Sequence, residues 1–324
     1  MPTSTLAGAL RTPGTDAQRA PGVDGPLRLG RPAVRTFGRR RRPEPTAKEL
    51  VFLSDLLAEF GMEVDLERYA RGGGNTFIDM CAELLDGLDR ALPPLETVLL
   101  AFHLPDLSVV EVAGSYLAGR CSGDPAVFSV AGQGAGAPFT ALRILDCMRP
   151  AGDAAGAVLT LDQSTVPYRD PDPECDPVQD CAVLLCTDPA GGPDAVTLDV
   201  LDERRVADPA DLADALAIRT APARLVVGPA LARRLDPATR ARYDVVAGPP
   251  GQLCTSAWAA LATHWPPDRY TVVADYDPHA ERLFQAGLRP GAVSGRSAAE
   301  PAIKQPRQTN TGAVSGRSAA EPAR

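Results

Sequence analysis

The stretch Phe128-Ser-Val-Ala-Gly-Gln-Gly-Ala-Gly-Ala-Pro-Phe-Thr-Ala-Leu142 carries the most chemistry in the chain. An apolar strand that turns through glycines into a helix start presents unpaired backbone N–H groups and the positive end of a helix dipole. A nucleophile or a developing oxyanion is held in such surroundings. The same turn also serves as a plain connection, so its neighbours must decide. The other reactive groups are seven cysteines, at 81, 121, 147, 175, 181, 186 and 254. Most lie in apolar runs and read as reduced thiols of a cytoplasmic protein. Cys175, Cys181 and Cys186 are spaced C-x5-C-x4-C with no His nearby, which is not a zinc-ligand pattern. His103 follows a strand end, and His264 closes a helix, where its positive form suits the dipole. Asp162 and Gln163 read as strand-end polar groups. Arg233, Arg234, Arg240 and Arg242 read as a solvated helix face or, alternatively, as contacts for a phosphate. No phosphate loop, dinucleotide fingerprint or metal signature occurs, and Gly72-Gly-Gly74, with no strand before it, is a hinge or linker.

These groups need a scaffold, and the chain supplies one by alternating helices and strands. Thr46-x-x-Glu49 is a capping box, after which Leu50, Leu53, Leu57 and Phe60 fall on one helical face. A second helix carries Phe77, Met80, Cys81, Leu84, Leu88 and Leu92. Buried strands follow at 97–102, 127–131, 157–161, 182–186 and 197–201. Helices are expected after Ser108-x-x-Glu111 and over 138–148. The pattern then restarts with the Pro-started, acid-capped opening Asp208-Pro-Ala-Asp211. Strands at 223–227, 244–247, 270–274 and 283–288 and helices at 229–235 and 255–264 complete it. Short apolar strands between helices imply an α/β protein of two similar halves whose sheets are covered on both faces.

The ends differ from the body. Residues 1–45, rich in Pro, Gly and Arg and closing on Arg39-Arg40-Arg41-Arg42, read as a flexible arm, within which Leu27 to Phe37 suits an edge strand. Residues 291–302, GAVSGRSAAEPA, recur letter for letter at 312–323, a duplicated small polar tail that builds no core. The expected division is arm 1–45, first half 46–203, shortened second half 204–290 and tail 291–324. The whole chain has 324 residues, 44% of them apolar, with 29 Gly and 32 Pro, so a core is affordable and loops are many. Lys occurs only at 48 and 304, a bias of base composition. A formal charge of -8 argues against nucleic acid as the main partner, and no apolar run is long enough for a membrane helix.

The order of the motifs is itself informative. Ala101-Phe-His-Leu-Pro-Asp106, the strand–turn–helix at 128–148, Ala157-Val-Leu-Thr-Leu-Asp-Gln-Ser164 and Asp180-Cys-Ala-Val-Leu-Leu185 resemble the N-terminal half of the thiolase superfamily, in its ketoacyl synthase III branch. Members there read A-T-x-x-P-D, F-D-x-x-x-x-C-S-G, L-V-x-G-x-E-x-x-S and G-D-G-A-x-A-V-x-L in the same order and at similar spacing. Gly251-Gln-Leu-Cys-Thr-Ser-Ala257 resembles the branch's G-N-T-S-A turn, Arg224 to Arg233 stands where its histidine segment stands, and Val272 to Arg289 resembles its final strand, glycine loop and strand. The resemblance covers about 50–290 and implies a five-layered αβαβα subunit that dimerises through its first half. Active members condense an acyl thioester with a malonyl thioester by a Cys nucleophile helped by His and Asn.

Position by position, the family's cysteine falls on Gly134 (on Ala135 if counted back from Leu142), its histidine on Gly228 and its asparagine on Cys254. Its glycine loop falls near Pro278-His279-Ala280. A glycine cannot attack a thioester, and such residues act as a unit. The resemblance therefore implies a ketosynthase-like subunit without the Cys-His-Asn triad, which pairs with an active ketosynthase as a heterodimer, or with itself as a homodimer, in fatty-acyl or polyketide biosynthesis. Two residues offer substitute chemistry. Gln133 resembles the Gln that replaces Cys in chain-length-factor and decarboxylating variants. It either hydrogen-bonds a thioester carbonyl, for malonyl decarboxylation, or satisfies the turn. Cys254 with His279 makes a relocated nucleophile and base for an acyltransferase, or else is a structural Cys beside a surface His. A third reading is a module that binds acyl carrier protein or an acyl ligand, with Arg233 and Arg234 meeting the phosphopantetheine phosphate. No tightly bound cofactor or metal is expected; an acyl or malonyl thioester of CoA or carrier protein is the expected ligand.

Overall fold

Among the described residues, eleven short strands and nine helices follow from the alternation of apolar runs with capped polar segments. The computed structural model describes residues 25–41, 44–108, 112–149, 155–168, 176–216, 218 and 223–291. Outside these fall Cys175, Glu111 of the expected cap at Ser108, the duplicated tail beyond Gly291 and the arm up to Asp24.

The strands are β1 (Arg28–Leu29), β2 (Ala33–Thr36), β3 (Leu95–Phe102), β4 (Ala126–Ala131), β5 (Ala155–Asp162), β6 (Cys181–Cys186), β7 (Val196–Arg205), β8 (Ala223–Val227), β9 (Asp244–Ala247), β10 (Tyr270–Asp277) and β11 (Arg282–Pro290). The helices are α1 (Ala47–Ala58), α2 (Leu66–Arg71), α3 (Phe77–Asp86), α4 (Ala113–Arg120), α5 (Ala137–Cys147), α6 (Leu212–Ala215), α7 (Pro229–Arg234), α8 (Pro237–Arg242) and α9 (Ser256–Thr263).

One sheet runs β2-β6-β5-β3-β4 and the other β1-β7-β11-β10-β8-β9. In the first, β3 lies parallel to both β4 and β5, while β6 is antiparallel to β5 and β2. In the second, β8 lies parallel to both β9 and β10, while β11 is antiparallel to β10 and β7. The two halves are thus one five-strand topology used twice, with β1 as an added edge. The second half opens at β7, Val196, ahead of the boundary expected at 204. The first half reaches back to β2, so the segment read as an arm to residue 45 enters both sheets through β1 and β2, with Leu27, Leu29 and Phe37 buried.

Three apolar clusters make five layers. The innermost joins α5 and α9 to facing residues of both sheets, including Leu99, Val158, Val226 and Val273, around Trp258 and Phe139. Rings of Phe139 and Trp258 meet tilted at 5.1 Å between centroids. An outer cluster packs α3 and α4 on the first sheet, and another packs α6 and α7 on the second. Helix, sheet, helix, sheet, helix is the expected αβαβα order.

Local signals explain the starts. Thr46 accepts from Glu49 N–H while Glu49 bonds back to Thr46, the expected capping box. Thr76 and Asp79 repeat it on α3, which ends at Asp86, short of Leu88 and Leu92. On α1, Leu57 is buried but Phe60, expected on the same face, lies past the helix end and is 70% exposed. Helix α4 starts after Val112 with no side-chain cap among the described residues.

Candidate functional site

Asp162, the last residue of β5, is 3% exposed, and its carboxylate organises the meeting of the halves. It accepts from the backbone N–H groups of Leu253 (2.8 Å), Cys254 (2.9 Å) and Thr255 (2.9 Å) and from the Thr255 hydroxyl (2.6 Å). Three successive donors from the turn before α9 thus converge on one side chain of the opposite half. Burial raises the carboxyl's pKa against these four bonds, which lower it.

The turn so held presents Cys254 to the glycine turn that follows β4. The Cys254 thiol donates to the Gly134 carbonyl at 3.2 Å, and Gly134 N–H donates to His103 Nδ1 at 3.0 Å. Because Nδ1 accepts, the ring proton of His103 is on Nε2. Gly134 has φ +51°, a left-handed backbone that favours glycine, and a β-carbon there would collide with the Asp277 carboxylate. At the end of β8, Gly228 starts α7, and a β-carbon on it would overlap the Asp275 carboxylate from the neighbouring strand β10.

Asp275 explains itself structurally. It is buried and accepts from Tyr276 N–H at 2.8 Å, and the backbone N–H of Leu231 in the first turn of α7 favours its charged form. Burial, with the nearby charges of Asp162 and Asp277, pushes its carboxyl up to about 7. Asp277 closes the turn after β10 by accepting from His279 N–H (2.9 Å) and Ala280 N–H (3.0 Å).

The structure therefore gathers Gly134, Gly228 and Cys254, the positions of nucleophile, histidine and asparagine in the resemblance, around the ends of β4, β8, β10 and the turn before α9. At the two glycine positions the space for a side chain is filled by carboxylates. Cys254 is 2% exposed, and burial together with the charges of Asp162 and Asp275 pushes its thiol well above the ordinary range. An activated nucleophile needs the opposite shift.

The substitute groups are placed elsewhere. His279 is exposed on the turn after Asp277, while the Cys254 sulfur is turned to Gly134. Gln133 is exposed, and its amide oxygen accepts from the Thr140 hydroxyl at 2.6 Å, a bond that fastens the turn to α5. Arg233 is exposed at the end of α7; Arg234 lies over the Tyr276 ring at 5.6 Å and donates to the Ala230 carbonyl. Arg240 donates to carbonyls of Leu235 and Ala232, and Arg242 lies over Tyr243, so these cations serve helix ends. His264 closes α9 with Nδ1 near the Ala260 carbonyl, as its position at a helix end suggests.

Sequence reasoning missed the roles of His103, Asp275 and Asp277. Two aspartates inside the apolar run Val272-Val-Ala-Asp-Tyr-Asp277 were the available signal, since a carboxylate on a buried strand needs donors.

Known proteins resemble the chain in fold and not in sequence. No family model and no curated protein matches it. Solved structures do. ChlB3, described as an acyltransferase, superposes with TM-score 0.54 at 11% identity over 83% of this chain and all of that one. A variant of OleA from Xanthomonas campestris gives 0.53 at 12% over 82% of this chain and 98% of that one. An OleA variant with bound lauric acid and lauroyl-CoA gives 0.52 at 11% over 82% and 99%. The fold is thiolase-like. At this identity the likeness concerns architecture, and it agrees with the five layers and paired halves found above. No helix among the described residues is long and apolar enough to cross a membrane.

Asp275 yields a first prediction. Its pKa is raised from an unfolded value near 3.8 to about 7, so the folded state holds its proton more firmly than the unfolded chain does. The stability it confers is full below pH 4 and is lost as pH rises towards 7, at about 1.4 kcal/mol for each pH unit crossed between the two values. Asp275→Asn carries no charge to bury. Urea unfolding at pH 5 and pH 8 should show the variant losing less stability across the interval than the wild type. Equal losses in both would refute the assignment.

Proposed function

We propose that this chain is a catalytically degenerate, ketosynthase III-like subunit that pairs with an active ketosynthase in fatty-acyl or polyketide biosynthesis. One observation carries the reading: the Asp275 carboxylate occupies the volume that any side chain at Gly228 would need. On this reading the position that the resemblance gives to the family's histidine is closed to any side chain. The thiol at Cys254, buried and turned to a carbonyl, supports the same conclusion.

Pairing is supported by the edge of the first sheet. Among the described residues, strand β4 has no neighbour on its outer side and presents Phe128, 46% exposed, there. An edge strand with an exposed aromatic invites another chain. Acyl thioesters are the ligand class this reading brings, in keeping with the lauroyl-CoA held by an OleA variant.

The test is incubation of the pure protein with malonyl and medium-chain acyl thioesters, followed by intact mass. The expected result is no mass gain and no consumption of malonyl thioester. A gain mapped to Cys254 would restore an acyltransferase with a relocated nucleophile. Malonyl consumption abolished by Gln133→Ala would establish a decarboxylase. Co-expression with a ketosynthase encoded nearby should yield a heterodimer; a homodimer indifferent to it would overturn the pairing.

A further inference from the structure

The segment between β2 and α3 builds a second concave feature that involves none of the residues at the closed site. Helices α1 and α2 and the loop that leads into α1 enclose a groove of about 920 Å³, within the range of small-molecule pockets, about 300–1,000 Å³. Its apolar wall is formed by Leu50, Leu66 and Tyr69, and Arg39 and Arg41 line its polar side. The floor is the glycine loop Gly72–Gly74 with Thr165.

That floor is fixed. Gly73 N–H donates to the Ser164 hydroxyl at 2.9 Å and Gly74 N–H to the Thr165 hydroxyl at 2.7 Å. Asp180, 1% exposed, holds Ser164 through its N–H (2.7 Å) and hydroxyl (2.6 Å) and binds the Asn75 amide at 2.8 Å. A β-carbon on Gly72 would collide with Thr165 and one on Gly73 with Asp180, so the loop packs directly on the end of β5. The concavity belongs to a rigid base.

The charges of the rim are unequal. Arg40 is neutralised by Asp79 at 3.1 Å and by Glu83. Arg39 donates to the Ala70 carbonyl, and neither Arg39 nor Arg41 has a carboxylate partner among the described residues. Glu44 is the acidic group in the lining. Arg39 and Arg41 thus set two guanidinium groups beside an apolar wall, in a chain of formal charge -8. Guanidinium forks match carboxylate and phosphate oxygens, while Leu50, Leu66 and the Tyr69 ring supply apolar surface beside them.

We infer that this groove binds a single-chain anionic amphiphile, its carboxylate or phosphate head on Arg39 and Arg41 and its alkyl tail along Leu50, Leu66 and Tyr69. This binding is independent of the pairing proposed above and survives or fails without it.

The test is calorimetric titration of the full chain, below micelle-forming concentrations, with decanoate and with decyl phosphate. Inorganic phosphate and decyltrimethylammonium serve as controls. At least one of the two anionic amphiphiles should bind, inorganic phosphate should bind more weakly for want of a tail, and the cationic amphiphile should not bind. Whichever of decanoate and decyl phosphate binds tighter names the head group. Arg39→Gln with Arg41→Gln should weaken binding roughly ten- to a hundredfold, and Leu66→Asp should weaken it about tenfold by placing a like charge in the wall. All three positions are exposed, so far-ultraviolet circular dichroism should be unchanged. Failure of both anionic amphiphiles to bind, equal binding of the cationic one, or affinity unmoved by the arginine substitutions would overturn the site.

Discussion

Replacing Asp162 by Ala is expected to cost on the order of 4 kcal/mol or more. The substitution leaves the N–H groups of Leu253, Cys254 and Thr255 and the Thr255 hydroxyl without their acceptor, in a place where water has no entry because Cys254 and Thr255 are buried. Each buried donor so abandoned costs about 1–3 kcal/mol, and losses in one network do not simply add. Against a usual domain stability of about 5–15 kcal/mol, such a loss is large. Asp162→Asn, which keeps one acceptor oxygen, should fall between. Equilibrium urea unfolding of the three proteins measures this, and an Asp162→Ala variant within about 1 kcal/mol of wild type would show that the carboxylate does not anchor the turn.

The second large effect concerns Gly228. Gly228→Ala drives a β-carbon into the Asp275 carboxylate, which can yield only by giving up the N–H of Tyr276 inside a packed interior. A cost of about 3 kcal/mol is expected, the upper part of the overpacking range. The diagnostic is the double variant. Asp275→Ala alone should also destabilise, by stranding the Tyr276 N–H, but Gly228→Ala with Asp275→Ala should be more stable than the sum of the single losses requires, because the clash disappears with the carboxylate. Strict additivity would mean that the two positions do not compete for one volume. For the same reason, placing Cys, His and Asn at 134, 228 and 254, where the resemblance puts them, should not yield a stable protein while Asp275 and Asp277 remain.

Much of the architecture was legible because it rests on local patterns. The runs Val98–Ala101, Val158–Leu161 and Val272–Ala274 are short, apolar and flanked by capped helices, and their order along the chain sufficed to suggest the thiolase-like layout that the two sheets adopt. Other elements hid for specific reasons. Strands β1 and β2 are flanked by arginine and proline, so Leu27 to Phe37 read only as one edge strand within an arm, and neither its split between two sheets nor the burial of Leu27, Leu29 and Phe37 follows from spacing. Helices α2 and α8 have six residues each, too few for a periodic face, although Asp65 and Asp236 cap them and Pro237 starts the latter. Less of the candidate site was legible. Motif order named Gly134, Gly228 and Cys254, whereas Asp162 reaches donors in the far half of the sequence, and nothing local shows that Asp275 and Asp277 stand against the two glycines.

The placement of β1 and β2 has a consequence for how the chain is made. One lies at the rim of the second sheet against β7, the other at the rim of the first against β6, and both partners emerge from the ribosome well after them. Strands β1 and β2 therefore wait unpaired while the intervening strands β3 to β5 emerge, and long-range closure of this kind is slow relative to local pairing. The central strands of each half can assemble among themselves first, and β1 and β2 then act as a late seam sewn along both sheets.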